Sequence, residues 1–288
     1  MLAMVSIFHG ESRNSAELKN SLERIAKAGF KYIHWHNEWN TLYLYSFYEM
    51  IQIQQWCRET GLTVYGIHAC TPPKNVDLKD YVSINENNRL AGVELVKNRV
   101  DLAYHLNAEV IVLHLDLPWQ RFENEKGFEE KFYRQALKSF DELESYCKTR
   151  NIRICIENES PAPQAHSRRM FEILFERYDK DYMGICFDTG HANIACRENN
   201  LDFAERFNDR IFICHIHDNR KDSDIHLLPF EGNFDWEGFA KILARSPCKF
   251  PIVMESIMWE TGDDKPWLEN AFESGSRFTA MVQKYRQE

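Results

Sequence analysis

Eight short apolar runs, each followed by a longer amphipathic segment, constrain this chain more than any other feature of its sequence. The runs are LAMVSIF (2–8), FKYIHWH (30–36), LTVYGIH (62–68), AEVIVLHL (108–115), NIRICIE (151–157), YMGICFD (182–188), RIFICHI (210–216) and FPIVMES (250–256). Between them lie helical patterns such as SAELKNSLERIAKAG, ENNRLAGVELVKNRVDLAYHL and FEEKFYRQALKSFDELESYCKTR, with apolar residues at threes and fours and charge on the opposite face. NNLDFAERFND, after the sixth run, has the poorest helical pattern.

Runs without polar alternation suit strands covered on both faces, and strands alternating with helices build a parallel sheet. Eight such units close most economically into an α/β fold, a single (β/α)8 TIM barrel occupying residues 1–288. No linker or change of composition divides the chain. A doubly wound open sheet is the alternative, but no GxGxxG or GxxxxGK follows the first run.

No apolar run approaches the roughly 18 residues of a membrane helix. MLAMVSIFHGES has neither a basic leader nor a small-residue cleavage pattern. The expectation is a cytoplasmic protein with no membrane partner. Eight cysteines form no CxxC pair, and several fall inside the apolar runs, where a thiol behaves as a small hydrophobe; reduced thiols are expected. A net charge of −9 argues against a nonspecific nucleic-acid binder, which needs cations to displace counterions.

The chemistry gathers at the ends of the runs. From the third to the eighth they finish at His68, His114, Glu157, Asp188, His215 and Glu255. Such ends converge on one mouth of a barrel, where barrel enzymes place their active sites. Singly, each has an ordinary reading: a histidine after a strand is commonly a hydrogen-bonded structural residue, and Asp188 in FDTGHAN suits a helix N-cap. Six in succession point to a divalent metal site. ICHIHDNRKDSDIH (213–226) adds to it. Ile213 and His217 share the inward side with His215, Asp224 and His226 could turn back toward the same centre, and His191 could do so from the first turn of a helix. Asp218 is expected to orient a neighbouring histidine, and Asp222 to be solvated.

Together IHA (67–69), VLHLD (112–116), IENES (156–160), CFDTGHAN (186–193), CHIHDN (214–219), DIH (224–226), PFEGNFDW (229–236) and VMES (253–256) resemble, in order, the motifs of the xylose isomerase-like TIM-barrel superfamily. That group includes sugar and sugar-phosphate isomerases and epimerases and the endonuclease IV type of apurinic endonuclease (AP endonuclease family 2). The resemblance to its ketose 3-epimerases implies one ion held by Glu157, Asp188, His215 and Glu255. In the endonuclease branch three zinc ions use more ligands, and His68, His114, His191, Asp224 and His226 fall on matching positions. That branch also carries, after its second strand, a run with Asn, Arg and Gln ending in Trp that enters DNA. Here HWHNEWNTLYLYSFYEM (34–50) is acidic and aromatic, without arginine. PFEGNFDW departs from the family too, which usually has Gly where Phe230 stands, leaving the shape of that loop open.

The favoured expectation is a metal-dependent isomerase or epimerase of a small sugar, sugar phosphate or polyol. Glu157 and Glu255 would transfer a proton next to a carbonyl through an enediolate, with Mn, Zn, Co or Fe as the ion, one or up to three. A multi-zinc apurinic-site phosphodiesterase is the alternative, a noncatalytic binder a third class, and lyase chemistry through a similar enolate is not separated from epimerisation. Candidate substrate contacts are His9, His36, Trp39, Trp119, Arg168 and His217. Trp35, Tyr43, Tyr45, Trp259 and Arg169 are further wall or anion-binding residues. The partner expected is a small carbohydrate rather than nucleic acid, and a homo-oligomer is compatible with the sequence.

Overall fold

The structure, a computed structural model, describes residues 3–6, 15–36, 44–69, 80–158, 163–195, 200–249, 251–258 and 263–288. Strands β1 (Ala3–Ser6), β2 (Tyr32–Trp35), β3 (Thr63–His68), β4 (Val110–Leu113), β5 (Arg153–Glu157), β6 (Met183–Asp188), β7 (Ile211–Ile216) and β8 (Ile252–Met254) pair in parallel in chain order. β1 also pairs with β8, Ala3 beside Ile252 and Val5 beside Met254, so the sheet closes on itself and leaves no edge. Closure excludes the open-sheet alternative. Each strand lies within one of the eight apolar runs.

Helices α1 (Ser15–Lys27), α2 (Phe47–Thr60), α3 (Glu86–Leu106), α4 (Trp119–Asn124), α5 (Phe128–Lys148), α6 (Gln164–Arg177), α7 (Thr189–Ala195), α8 (Asp202–Arg206), α9 (Trp236–Ala244) and α10 (Lys265–Gln287) follow the strands. Their buried stripes obey the helical period, as in Leu18, Leu22 and Ile25 of α1 or Phe132, Ala136, Phe140 and Leu143 of α5. Local chemistry sets several ends. The Ser46 hydroxyl accepts the Glu49 N–H while the Glu49 carboxylate accepts the Ser46 N–H, a capping box that starts α2. Asn85 caps the start of α3, and Asn107, at φ 58°, ends it in the left-handed conformation. The poorly patterned NNLDFAERFND yields only the five residues of α8 and a 3-10 turn at Asn208–Arg210. The short α4 is an addition to the sequence reading. Among the described residues, no helix is long and apolar enough to cross a membrane. Six cysteines are free and buried; Cys70 and Cys196 lie outside the described residues.

Inside the barrel the side-chain period of two sorts the strand residues into layers. Val110, Val112, Cys155, Cys186, Ile213 and Val253 form a small apolar cluster of their own. Two residues further along the same strands come His114, Glu157, Asp188, His215 and Glu255. The inner wall therefore changes from hydrocarbon to titratable groups within one step of the pleat.

The long connection from β7 to α9 is organised by Asp218, which does not orient a histidine as the sequence suggested. Its buried carboxylate accepts N–H groups from Asn219 (2.9 Å), Phe230 (3.1 Å), Phe234 (3.2 Å) and the Trp236 indole (2.8 Å). Its backbone exchanges two 2.9 Å hydrogen bonds with Leu227. Those bonds fold Asp224 and His226 back over the mouth. Phe230 has φ 77°, so the loop takes a glycine-like conformation without a glycine. A tilted contact with Trp236 (ring centres 5.3 Å apart) and the Arg277 guanidinium over its ring (3.8 Å) oppose that strain. Asp222 is exposed, as expected. Asp218→Ala strands four donors together, and the expected cost is about 2–4 kcal/mol in urea unfolding, with loss of hydrogen-exchange protection at the Phe230 and Phe234 amides. Unchanged protection there would show that the carboxylate does not organise the loop.

Candidate metal centre

At the mouth, one ligating atom from each of Glu157, Asp188, His215 and Glu255 falls within 4.8 Å of all the others, and all four residues are buried. The strand register produces this directly. Asp188 of β6 pairs with His215 of β7, and His215 pairs with Val253, two residues before Glu255. Nδ1 of His215 lies 3.0 Å from Oε2 of Glu157 and 3.0 Å from Oε2 of Glu255. Yet neither ring nitrogen of His215 makes a well-aligned hydrogen bond to them. Lone pairs that converge on a shared point rather than on one another are what a cation needs, and the donor types suit a borderline divalent ion.

Among the described residues four further sets of three donors adjoin this one; His36, His68 and Glu255 form one, Glu157, Cys186 and His215 another, and two more flank the mouth. His68, His114 and Glu157 form the first, with His114 Nε2 3.1 Å from Glu157 Oε2 and His68 Nε2 at 3.8 Å from it. His217, Asp224 and His226 form the second. His226 donates its Nδ1–H to the Glu255 carbonyl (2.7 Å), which leaves Nε2 facing Asp224 Oδ2 at 3.2 Å. His191 links the sets, with Nδ1 3.2 Å from Glu157 Oε1 and Nε2 3.2 Å from Asp224 Oδ2. Asp188 acts twice: Oδ1 accepts the His191 N–H at 2.7 Å, capping α7 as its sequence context allowed, while Oδ2 faces His217 Nε2 at 3.0 Å.

The electrostatics divide the mouth in two. Burial opposes charge on Glu157, but the imidazoles of His215, His114 and His191 outweigh it and hold the carboxyl well below its usual range. Asp188 is lowered in the same way by His191 and His217, and Asp224 by His191 and His226. Burial likewise opposes protonation of the histidines facing these groups. It is outweighed for His191 by Asp188, Asp224 and Glu157, and for His215 by Cys186, Glu255 and Glu157. His226, facing Asp224 and Glu255, rises to about 9. On the β2–β3 side burial wins: His34 and His68 are pushed well down and His36 to about 3, with neighbouring imidazoles adding to the effect.

The other candidates are placed as follows. His217 is wholly buried beside Asp188, stacked 3.9 Å from His226, so it touches a carboxylate rather than facing the open mouth. His36 stacks on His68 at 4.1 Å. Trp119 lies near His166 on the rim, with ring centres 6.3 Å apart. Arg168 faces Asp202 at 3.8 Å and Arg169 pairs with Glu129 at 2.7 Å, both away from the centre. The Trp35 indole donates to the Tyr45 hydroxyl at 2.9 Å inside the core. His9, Trp39, Tyr43 and Trp259 lie outside the described residues. Two neighbours went unnoticed in the sequence, His34 and Cys186. Both stand two residues before a residue read as inward, and the period of two, continued down β2 and β6, points to them.

A family model described as a xylose isomerase-like TIM barrel matches residues 22–275. The uncharacterized protein y4fM of Sinorhizobium fredii is 32% identical over 255 residues, which cover 84% of this chain and 81% of that protein. Among solved structures, a D-tagatose 3-epimerase-like protein superposes with a TM-score of 0.75 at 23% identity, over 100% of this chain and 99% of the other. The IolI protein, solved with a zinc atom bound, gives 0.68 at 16% identity over 99% of each chain. At such identities the structural likenesses speak for the fold, and the family match speaks for descent. With eight parallel strands closed in chain order and a match over most of its length, the chain belongs to the xylose isomerase-like TIM-barrel family.

Proposed function

We propose that the protein is a divalent-metal-dependent isomerase or epimerase of a small sugar, sugar phosphate or polyol, with the whole chain working as one barrel unit. The observation that carries this reading is the convergence of Glu157, Asp188, His215 and Glu255, with two glutamates meeting across one imidazole. The likeness to a D-tagatose 3-epimerase-like protein supports a carbohydrate as the substrate class, and the zinc in IolI supports a metal in such a barrel. A divalent ion held by these four residues would supply Lewis-acid polarisation of a carbonyl and its neighbouring hydroxyl.

The proton transfer falls to the chain's own groups. Glu157 and Glu255 stand on strands three places apart round the barrel, so their carboxylates approach a bound molecule from different sides. One takes the proton next to the carbonyl and the other returns one to the opposite face, as inversion of a carbon requires. His114 and His191, both touching Glu157, orient that carboxylate and can accept hydrogen bonds from or donate them to substrate hydroxyls. The neutral imidazoles of His36 and His68 wall the β2–β3 side without adding positive charge beside the ion.

One specific observation favours a second reading, a multi-metal phosphodiesterase of the apurinic-endonuclease type. Glu157 is shared among three donor sets, and the His217, Asp224 and His226 set, joined by His191, lies against the same mouth. Several ions held there would supply activation of water and stabilisation of a leaving oxygen. Metal stoichiometry of untagged protein separates the two: about one exchangeable ion per chain with deuterium exchange into ketoses supports the isomerase, and about three tightly held zinc ions with cleavage of abasic-site DNA supports the phosphodiesterase.

Two outcomes follow. Glu157→Gln and Glu255→Gln are each expected to lower kcat for ketose exchange by about a hundred- to ten-thousand-fold; activity within a few-fold of wild type in either variant removes the acid/base assignment. Metal uptake must also displace the proton of His215, which lies above its usual range beside Cys186, Glu255 and Glu157. Affinity is therefore expected to rise with pH until this imidazole is neutral and to fall as pH drops. Calorimetry in buffers of different ionisation enthalpy reads the released protons directly, and release of none contradicts the assignment.

A further inference from the structure

The barrel interior just beneath this centre holds a donor that the isomerase reading leaves unused. Cys186 stands on β6 two residues before Asp188, so it points inward one layer deeper, and it pairs in register with Glu157 of β5. Its Sγ, a ring nitrogen of His215 and a carboxylate oxygen of Glu157 all lie within 4.8 Å of one another, and all three residues are buried. Cys155, in the same apolar cluster, belongs to no such set among the described residues.

A second observation points to the same place. His215 is wholly buried, its ring nitrogens make no well-aligned hydrogen bond, and the Cys186 thiol stands against it. A metal-ligating imidazole normally donates its other N–H to a carboxylate, a carbonyl or water. His34 is equally buried, its two ring nitrogens make no well-aligned hydrogen bond either, and its ring centre lies 5.1 Å from that of His215. Two imidazoles without a well-aligned partner, beside a thiol and a carboxylate, are costly to bury unless something satisfies them.

We propose that Cys186, His215 and Glu157 form a second, deeper position for a thiophilic divalent cation such as Zn2+, Co2+ or Cd2+. The deeper and upper positions share Glu157 and His215, so they compete, and the softness of the ion decides its depth. A thiophilic ion exchanges the Cys186 proton, released to buffer, for a sulfur–metal bond, with no change of oxidation state. Mn2+ and Mg2+ have little affinity for sulfur and stay with the carboxylates and imidazole above. Cys186 thus discriminates among ions at the proposed centre, an inference that rests on the metal-centre reading through the two shared residues.

The test uses the full chain loaded with Co2+, read by the near-ultraviolet thiolate-to-cobalt charge-transfer band. The band is expected in the wild type and in Cys155→Ser and absent in Cys186→Ser. Cd2+ affinity of Cys186→Ser is expected to fall roughly tenfold or more while its Mn2+ affinity is unchanged. X-ray absorption at the zinc edge of the zinc-loaded wild type needs no variant, and one sulfur neighbour at about 2.3 Å is expected. Persistence of the band in Cys186→Ser, or zinc surrounded by nitrogen and oxygen alone, overturns the deeper position and leaves the upper centre standing. Failure of the wild type to take up any divalent ion overturns both.

Discussion

The mouth of this barrel depends on how the charge of Glu157 is compensated. A carboxylate only 1% exposed on the inner wall costs several kcal/mol unless opposite charge and hydrogen-bond donors surround it. Three imidazoles, those of His215, His114 and His191, lie within 3.2 Å of its oxygens, and His68 stands at 3.8 Å. They come from β7, from the ends of β4 and β3, and from the first turn of α7. No local segment could supply them together, so closure of the sheet is an electrostatic requirement of the site as well as a geometric one.

The same compensation grades the mouth from one side to the other. Around β6 and β7 His191, His215 and His226 face carboxylates and are pushed toward the charged form, whereas around β2 and β3 His34, His36 and His68 are pushed toward the neutral one by burial and by one another. A divalent ion suits the first region because it replaces protons shared between carboxylates and imidazoles with a single central charge. The second region offers polar contacts without repelling that ion. Under the proposed isomerase reading, a small polyhydroxylated molecule would span the two, with the ion at one end and neutral imidazoles at the other.

The connection between β7 and α9 completes the mouth, and its shape comes from one buried carboxylate. By gathering four N–H groups, Asp218 turns the chain so that the His226 ring lies over His217 and donates to the Glu255 carbonyl. Phe230 tolerates a left-handed backbone there because Trp236 and Arg277 hold its ring. A left-handed backbone position that glycine adopts most readily is thus kept in shape by packing instead.

Much of this was legible in the sequence for simple reasons. Strands buried on both faces read as unbroken apolar runs, and all eight were found because neither face can carry charge without cost. The six strand-end donors were legible because they break that rule at the same place each time. His34 and Cys186 were not, since inside an apolar run a histidine or cysteine looks like filler, and only the register shows it aimed at Glu157 and His215. Asp218 was misread for a related reason: its partners lie up to 18 residues away, and nothing local distinguishes a carboxylate that gathers backbone N–H groups from one that orients an imidazole. The sequence by itself determined the order and type of the elements and the chemical character of their ends, because burial and periodicity act along the chain. Which nitrogen faces which oxygen, and which histidines are charged, only the tertiary structure decided, because those depend on distances between strands that the chain brings together only on closing.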